Sequence, residues 1–337
     1  LAGCLLAAMG ATQLYAQGGV SLDFSTDPED RGVVFYGNSE WRNSGGVANS
    51  GYLKVTDAAG GQSGAIVFPD LSNPVGSALS SFQISADLRV GGGTSDPADG
   101  FSFNLVRPED PLIESGTGYA ASPANEANLP EEGSTTGLAI GFDEWQSGAR
   151  SPKANVYRAF ENLEEGDSLS DADQAIFDDL TDEELAFFEA NGSECGPETV
   201  EIENFEGDLV PSLAYDCIGI SVRVDNILIR QAGFPVKNGE LNDQQSLQTG
   251  PLGSELGWAK LQIRVTPTEE AGVSNLLIRY KDRPVIDEPI AYRPTPGQLV
   301  FGGRTGGAWA NHHIDNISIV TDFDDLTLGD FNSDGAI

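Results

Sequence analysis

Apolar and polar residues alternate with a period of two along much of the chain. Phe82, Ile84, Ala86, Leu88 and Val90 share one face of an extended segment, as do Ile218, Ile220, Val222 and Val224, and then Leu261, Ile263 and Val265. Alternation at this period sends successive side chains to opposite faces of a strand, one towards a core and one towards water. Shorter strand-like runs fall at 21–25, 52–55, 65–68, 101–106, 138–142, 276–280, 299–301 and 314–320. Turn residues separate the runs and no helical period intervenes, so roughly a dozen strands follow one another in series. That order predicts an all-β protein built as a jelly-roll sandwich of two antiparallel sheets.

The alternation fails within residues 149–216. No Lys or Arg lies between Arg158 and Arg223, while 161–216 holds 19 acidic residues. Two short helices are predicted there, one opening at Ser170 and one at Thr181. Thr181 and Glu184 have the spacing of a capping box, and Gly192 is a natural stop. Leu180, Leu185, Phe187 and Phe188 give this helical hairpin something to bury. We read 149–216 as a small acidic helical insertion carried on a loop of the β fold.

Composition sharpens this picture. Forty-one Gly and 18 Pro against a single Met suit a fold rich in turns. The 52 acidic against 18 basic residues give a net charge of −34, which excludes a nucleic-acid partner and disfavours an anionic membrane surface. Residues 1–16 carry no charge and end in small side chains, as the core and cleavage end of a secretory signal peptide do. Beyond them no apolar run is long enough to span a bilayer. The expectation is a secreted bacterial protein, extracellular or at the cell surface. Export places Cys195 and Cys217 in an oxidising compartment, where an even count favours a disulfide over a metal site. Closing that loop would stabilise by about 3 kcal/mol in the chain-entropy picture.

The order of several blocks adds a family likeness. Pro97-Ala-Asp-Gly-Phe-Ser-Phe-Asn-Leu105, Gly137-Leu-Ala-Ile-Gly-Phe-Asp143, Cys217-Ile-Gly-Ile220, Phe301-Gly-Gly-Arg-Thr-Gly306 and His313-Ile-Asp-Asn-Ile317 together resemble the L-type, legume-lectin-like concanavalin family. The resemblance implies a concanavalin A-like jelly roll over 17–326 that binds a glycan or polysaccharide without catalysis. It implies that Asp99 and Gly100 contact sugar, with Asp99 following a cis peptide, and that Asp143 binds Ca²⁺. Where the family has a transition-metal Glu and His, this chain has Gly141 and Cys217, which implies loss of that second metal. Read as residues alone, Asp99 is also a turn aspartate before Gly and Asp143 a strand-end cap. Trp145 offers an aromatic plane for stacking on a sugar ring, or for ordinary packing. His312 and His313 are adjacent, so on a strand they face opposite ways and do not share a metal.

Two further features widen the range. Asp330, Asn332 and Asp334, followed by Gly335, form the first half of an EF-hand-type Ca²⁺ loop. Residues 327–337 thus resemble the truncated start of a dockerin-type repeat, implying a cohesin-type or cell-surface partner. Glu201, Glu203 and Glu206 imitate the carboxylate spacing of laminarinase-like glycoside hydrolases, which share the jelly roll. The alternatives to a lectin-like module are therefore a structural or adhesive module and a glucan hydrolase.

Overall fold

A computed structural model describes residues 18–70, 79–121, 129–204 and 207–321. Two large antiparallel sheets dominate it, as the alternation predicts. In the first, the strands run Arg283–Ile290, Ser274–Tyr280, Ala259–Pro267, Phe82–Gly91, Asn311–Thr321, Tyr52–Thr56 and Glu40–Arg42, and Gly18–Leu22 also pairs with Asn311–Thr321. The second runs Ile227–Gly233, Gly219–Val224, Leu138–Asp143, Gly100–Val106, Gln298–Arg304, Ser63–Asp70 and Val34–Gly37. The sheets meet through their alternating apolar faces, with Ile84, Leu88, Leu261 and Ile263 on one side and Phe101, Phe103, Ile140, Phe142 and Phe301 on the other. Phe101 stacks on Phe142 at 4.6 Å between ring centroids, and Phe103 meets Phe301 edge-on at 4.5 Å. Truncating one such ring to Ala costs about 3–5 kcal/mol.

The outer face of the second sheet is covered as well. Ser102 and Asn104, the polar partners in the Phe101–Leu105 alternation, point away from the core and are nonetheless buried. Ser102 Oγ donates to the Pro130 carbonyl (2.5 Å), and Asn104 Oδ1 accepts from the Ser134 amide (2.8 Å). These bonds lay residues 129–137 across the sheet as a roof. The short helix Pro111–Ser115 covers the far half, where Leu112 and Tyr119 pack on Ala65, Val67, Val106 and Val300.

The insertion contains the two predicted helices, Asp171–Asp178 and Asp182–Asn191. The capping box is complete: the Thr181 amide donates to Glu184 Oε2 (3.1 Å) and the Glu184 amide to Thr181 Oγ1 (3.2 Å). A third helix, Pro152–Glu161, and a hairpin of Thr199–Glu203 with Leu209–Leu213 were not foreseen. The helix opens on Ser151, whose Oγ accepts from the Ala154 amide, with Pro152 at the first position. Cys195 and Cys217 form the expected disulfide, their Cα atoms 4.9 Å apart. Among the described residues no helix is long and apolar enough to cross a membrane. The predicted signal segment and the dockerin-like loop with Asp330, Asn332 and Asp334 lie outside the described residues.

Candidate functional site

Strand register gathers the site. Asp143, the last residue of its strand, pairs with Gly100 on one side and Gly219 on the other, and Gly100 pairs with Arg304. Asp99, Asp143, Arg304 and the segment before Gly219 therefore meet at one end of the second sheet. Gly100 sits at φ +146°, and a Cβ there would collide with the Phe142 carbonyl, so the neighbour of Asp99 has to be Gly.

The Ala98–Asp99 peptide is cis. The Asp99 amide donates to the Arg304 carbonyl (3.2 Å), and its own carbonyl accepts from the Glu144 amide (3.0 Å). Only 6% of Asp99 is exposed, and its Oδ2 has no hydrogen-bond partner among the described residues. Burial pushes its carboxyl pKa up, against the pull of Arg304, whose Nε lies 3.7 Å from Oδ2. Arg304 is held by Glu131, both of whose oxygens lie 2.9 Å from Nε, and its Nη2 donates to Ser147 Oγ (3.1 Å). Trp145 stands beside this group with 39% of its surface open, and the Lys237 ammonium lies 5.4 Å from its ring centroid.

Asp143 opens a second group that the sequence did not assemble. Glu132 from the roof, Asp143 from the strand end and Asp216 from the insertion each bring a carboxylate oxygen within 4.8 Å of the others. All three residues are buried, and among the described residues Glu132 Oε1, Asp143 Oδ2 and Asp216 Oδ2 have no hydrogen-bond partner. The other oxygens are engaged. Asp143 Oδ1 accepts from the Trp145 amide (2.9 Å), Asp216 Oδ1 from Gln146 Nε2 (2.9 Å), and Glu132 Oε2 from the buried Arg223. Burial and the neighbouring Glu132 push Asp216 up to about 8, and burial with Asp216 and Glu132 beside it holds Asp143 well above the usual carboxylate range.

Three unpaired oxygens converging in a buried site suit a cation. The donors are all oxygen, the choice of a hard divalent ion such as Ca²⁺. Arg223 offsets one of the three carboxylate charges, and a divalent ion would offset the other two. Sulfur and imidazole are committed elsewhere: Cys217 is in the disulfide, and the two His face opposite sides of their strand as predicted. His312 reaches Glu144 and His313 reaches Asp57. Gly141 has no room for a side chain, since a Cβ would collide with the Glu131 carbonyl and Ser221 Oγ. The roof thus fills the space that a side chain at Gly141 would take.

Glu201 and Glu203 lie exposed on the insertion hairpin, away from this group, and Glu206 lies outside the described residues. Glu131, Glu132, Asp216 and Arg223 were missed by sequence reasoning because they come from segments far apart in the chain, without a shared spacing.

No family model and no curated protein matches the chain. Among solved structures, the exoplasmic/lumenal domain of VIP36 in its Ca²⁺/Man3GlcNAc-bound form aligns over 91% of this chain and 89% of that one, at 12% identity and a TM-score of 0.44. Lectin I-B4 from Griffonia simplicifolia, in its metal-free form, aligns over 90% and 99%, at 13% identity and a TM-score of 0.44. The legume lectin-like domain from Entamoeba histolytica aligns over 90% and 97%, at 12% identity and a TM-score of 0.42.

Proposed function

We propose that the chain is a non-catalytic, lectin-like carbohydrate-binding module that takes a glycan at the sheet end formed by Asp99, Gly100 and Trp145. The observation that carries this reading is the Asp99 carboxylate, fixed through its backbone on both sides at the sheet end while its side chain accepts no hydrogen bond among the described residues. Such an acceptor suits sugar hydroxyls, and the partly exposed ring of Trp145 suits the C–H face of a pyranose. A cation, Ca²⁺ by its donor set, would be held by Glu132, Asp143 and Asp216. Its positive charge would neutralise the converging carboxylates. Asp143 and Asp216 also fix the loop 143–147 through Trp145 and Gln146, and the Glu144 amide in that loop holds Asp99. The disulfide supports an exported protein, since such bonds persist in oxidising compartments.

A glycan array probed with and without Ca²⁺, followed by calorimetry on the best ligand, tests the reading. Binding that disappears in Asp99→Ala is expected. Absence of binding to every glycan in both conditions overturns it. Sugar release that is lost in Glu201→Gln would instead support the hydrolase.

A further inference from the structure

Asp216 is the one member of the carboxylate group that comes from neither the second sheet nor its roof. It lies in the segment joining Leu209–Leu213 to Gly219–Val224, at the point where the insertion returns to the sheet. Its side chain accepts from Gln146, which also bonds its carbonyl (3.0 Å). The flanking backbone is held by Gln231 Nε2 on the Tyr215 carbonyl (2.8 Å) and by the Ala214 amide on the Glu198 carbonyl (2.7 Å). The next residue, Cys217, is bonded to Cys195, and both are buried. The Cys195 end is itself anchored, because Arg158 Nη2 donates to the Ser193 carbonyl (2.8 Å) and pairs with Glu194 (3.2 Å). Without a cation the three buried acids oppose one another's ionisation, and the covalent tie stands one residue from the ligand that the insertion supplies.

We propose that the Cys195–Cys217 disulfide is a positioning group for Asp216, so that cation affinity depends on the oxidation state of this pair. The inference rests on the cation reading above. Reduction by a dithiol delivers two electrons and two protons to the S–S bond, leaving two thiols here and a disulfide on the reductant. The segment around Asp216 is then held by hydrogen bonds alone, and the preformed oxygen set loosens. By reciprocity, a cation bound to that set resists reduction.

Calorimetric titration of Ca²⁺ into the oxidised protein and into Cys195→Ser/Cys217→Ser tests this. Outer groups that orient metal ligands typically carry about 10–100-fold in affinity, so a loss of about tenfold or more is expected. In an Asp216→Asn background, breaking the disulfide should cost no further affinity, because the tie acts through that side chain. If the serine variant fails to fold, the reduction potential of the native pair, measured in dithiol buffers with and without Ca²⁺, gives the same answer. A tenfold coupling makes the bond harder to reduce by about 30 mV, and Asp216→Asn abolishes that shift. Equal Ca²⁺ affinity with and without the disulfide, or an unchanged potential, overturns the positioning role. So does a disulfide effect of the same size in the Asp216→Asn background. No Ca²⁺ binding to the oxidised protein overturns the cation reading itself.

Discussion

Glu144 Oε2 lies 2.5 Å from His312 Nε2 with both side chains fully buried, and this contact ties the two sheets together beside Asp99. His312 belongs to the first sheet and places Nδ1 2.7 Å from Thr56 Oγ1. Glu144 follows the Leu138–Asp143 strand of the second sheet, and its Oε1 accepts from Gln248 Nε2 (2.6 Å). Each polar atom of the pair is therefore matched, which a buried polar network requires if it is to stabilise. Glu144→Gln keeps the shape but gives His312 or Gln248 a mismatched partner. A loss of about 1–3 kcal/mol in urea unfolding is expected, the cost of a buried group left unsatisfied. A variant as stable as the parent would remove this link from the account.

Asp99→Asn separates recognition from folding. The substitution retains the shape and both backbone bonds while removing a carboxylate whose ionised form burial opposes. Thermal unfolding should be unchanged or slightly later, whereas glycan affinity should fall by about 1.5–3 kcal/mol, the worth of a hydrogen bond to a charged group. A parallel loss of stability and binding would mean that Asp99 only shapes the turn.

At Asp143 the two effects have opposite signs. Asp143→Asn removes an acid whose ionisation burial and its neighbours oppose, so the cation-free protein should melt later than the parent. The parent should gain about 2.7 kcal/mol when Ca²⁺ is present at about a hundred times its dissociation constant, and the variant should gain nothing. Scanning calorimetry with Ca²⁺ and with a chelator reads both. An identical gain in the variant would exclude Asp143 as a ligand.

His313 sets an acid limit. Its Nδ1 accepts from Arg89 Nε (3.1 Å) and its Nε2 donates to Asp57 Oδ1 (3.1 Å), an arrangement that requires the neutral ring. Burial pushes its pKa down from 6.5 to about 4. The hydrogen bond from His313 brings Asp57 down to about 2. Between about 4 and 6.5 the unfolded chain binds a proton that the folded one does not, so stability falls as pH drops through this window. The His contribution is about 3 kcal/mol. Asp57 adds stability that is complete above about 4 and is lost as pH falls towards 2. Denaturant unfolding from pH 7 to pH 4 should show this slope, and His313→Gln should flatten it.

Much of the fold was readable because central strands have two neighbours and a dry face. Phe82–Gly91, Gly219–Val224 and Ala259–Pro267 carried the period-two signal, and Gly100–Val106 and Leu138–Asp143 showed as shorter strand-like runs. Val34–Gly37, Glu40–Arg42, Ile227–Gly233 and Arg283–Ile290 did not, and these four stand at the ends of the strand order of the two sheets. An edge strand meets one partner and more water, so its sides differ less, and Pro284 and Pro289 suit Arg283–Ile290 to that position. At the site, Asp99, Gly100 and Asp143 lay within recognisable blocks, and Trp145 stands two residues beyond one of them. Glu132 and Asp216 did not, because what unites them with Asp143 is a roof over the sheet and the return of an insertion, neither of which leaves a local pattern.

The roof of residues 129–137 has a consequence for ligand shape. With Gly100–Val106 and Leu138–Asp143 buried along their whole length, the middle of the second sheet has no open floor on which a polymer could lie. What remains is the rim, where Asp99 and Trp145 sit. A rim admits a chain terminus or a short branch, so affinity should saturate within the first few sugar units and be indifferent to the length of polymer behind them.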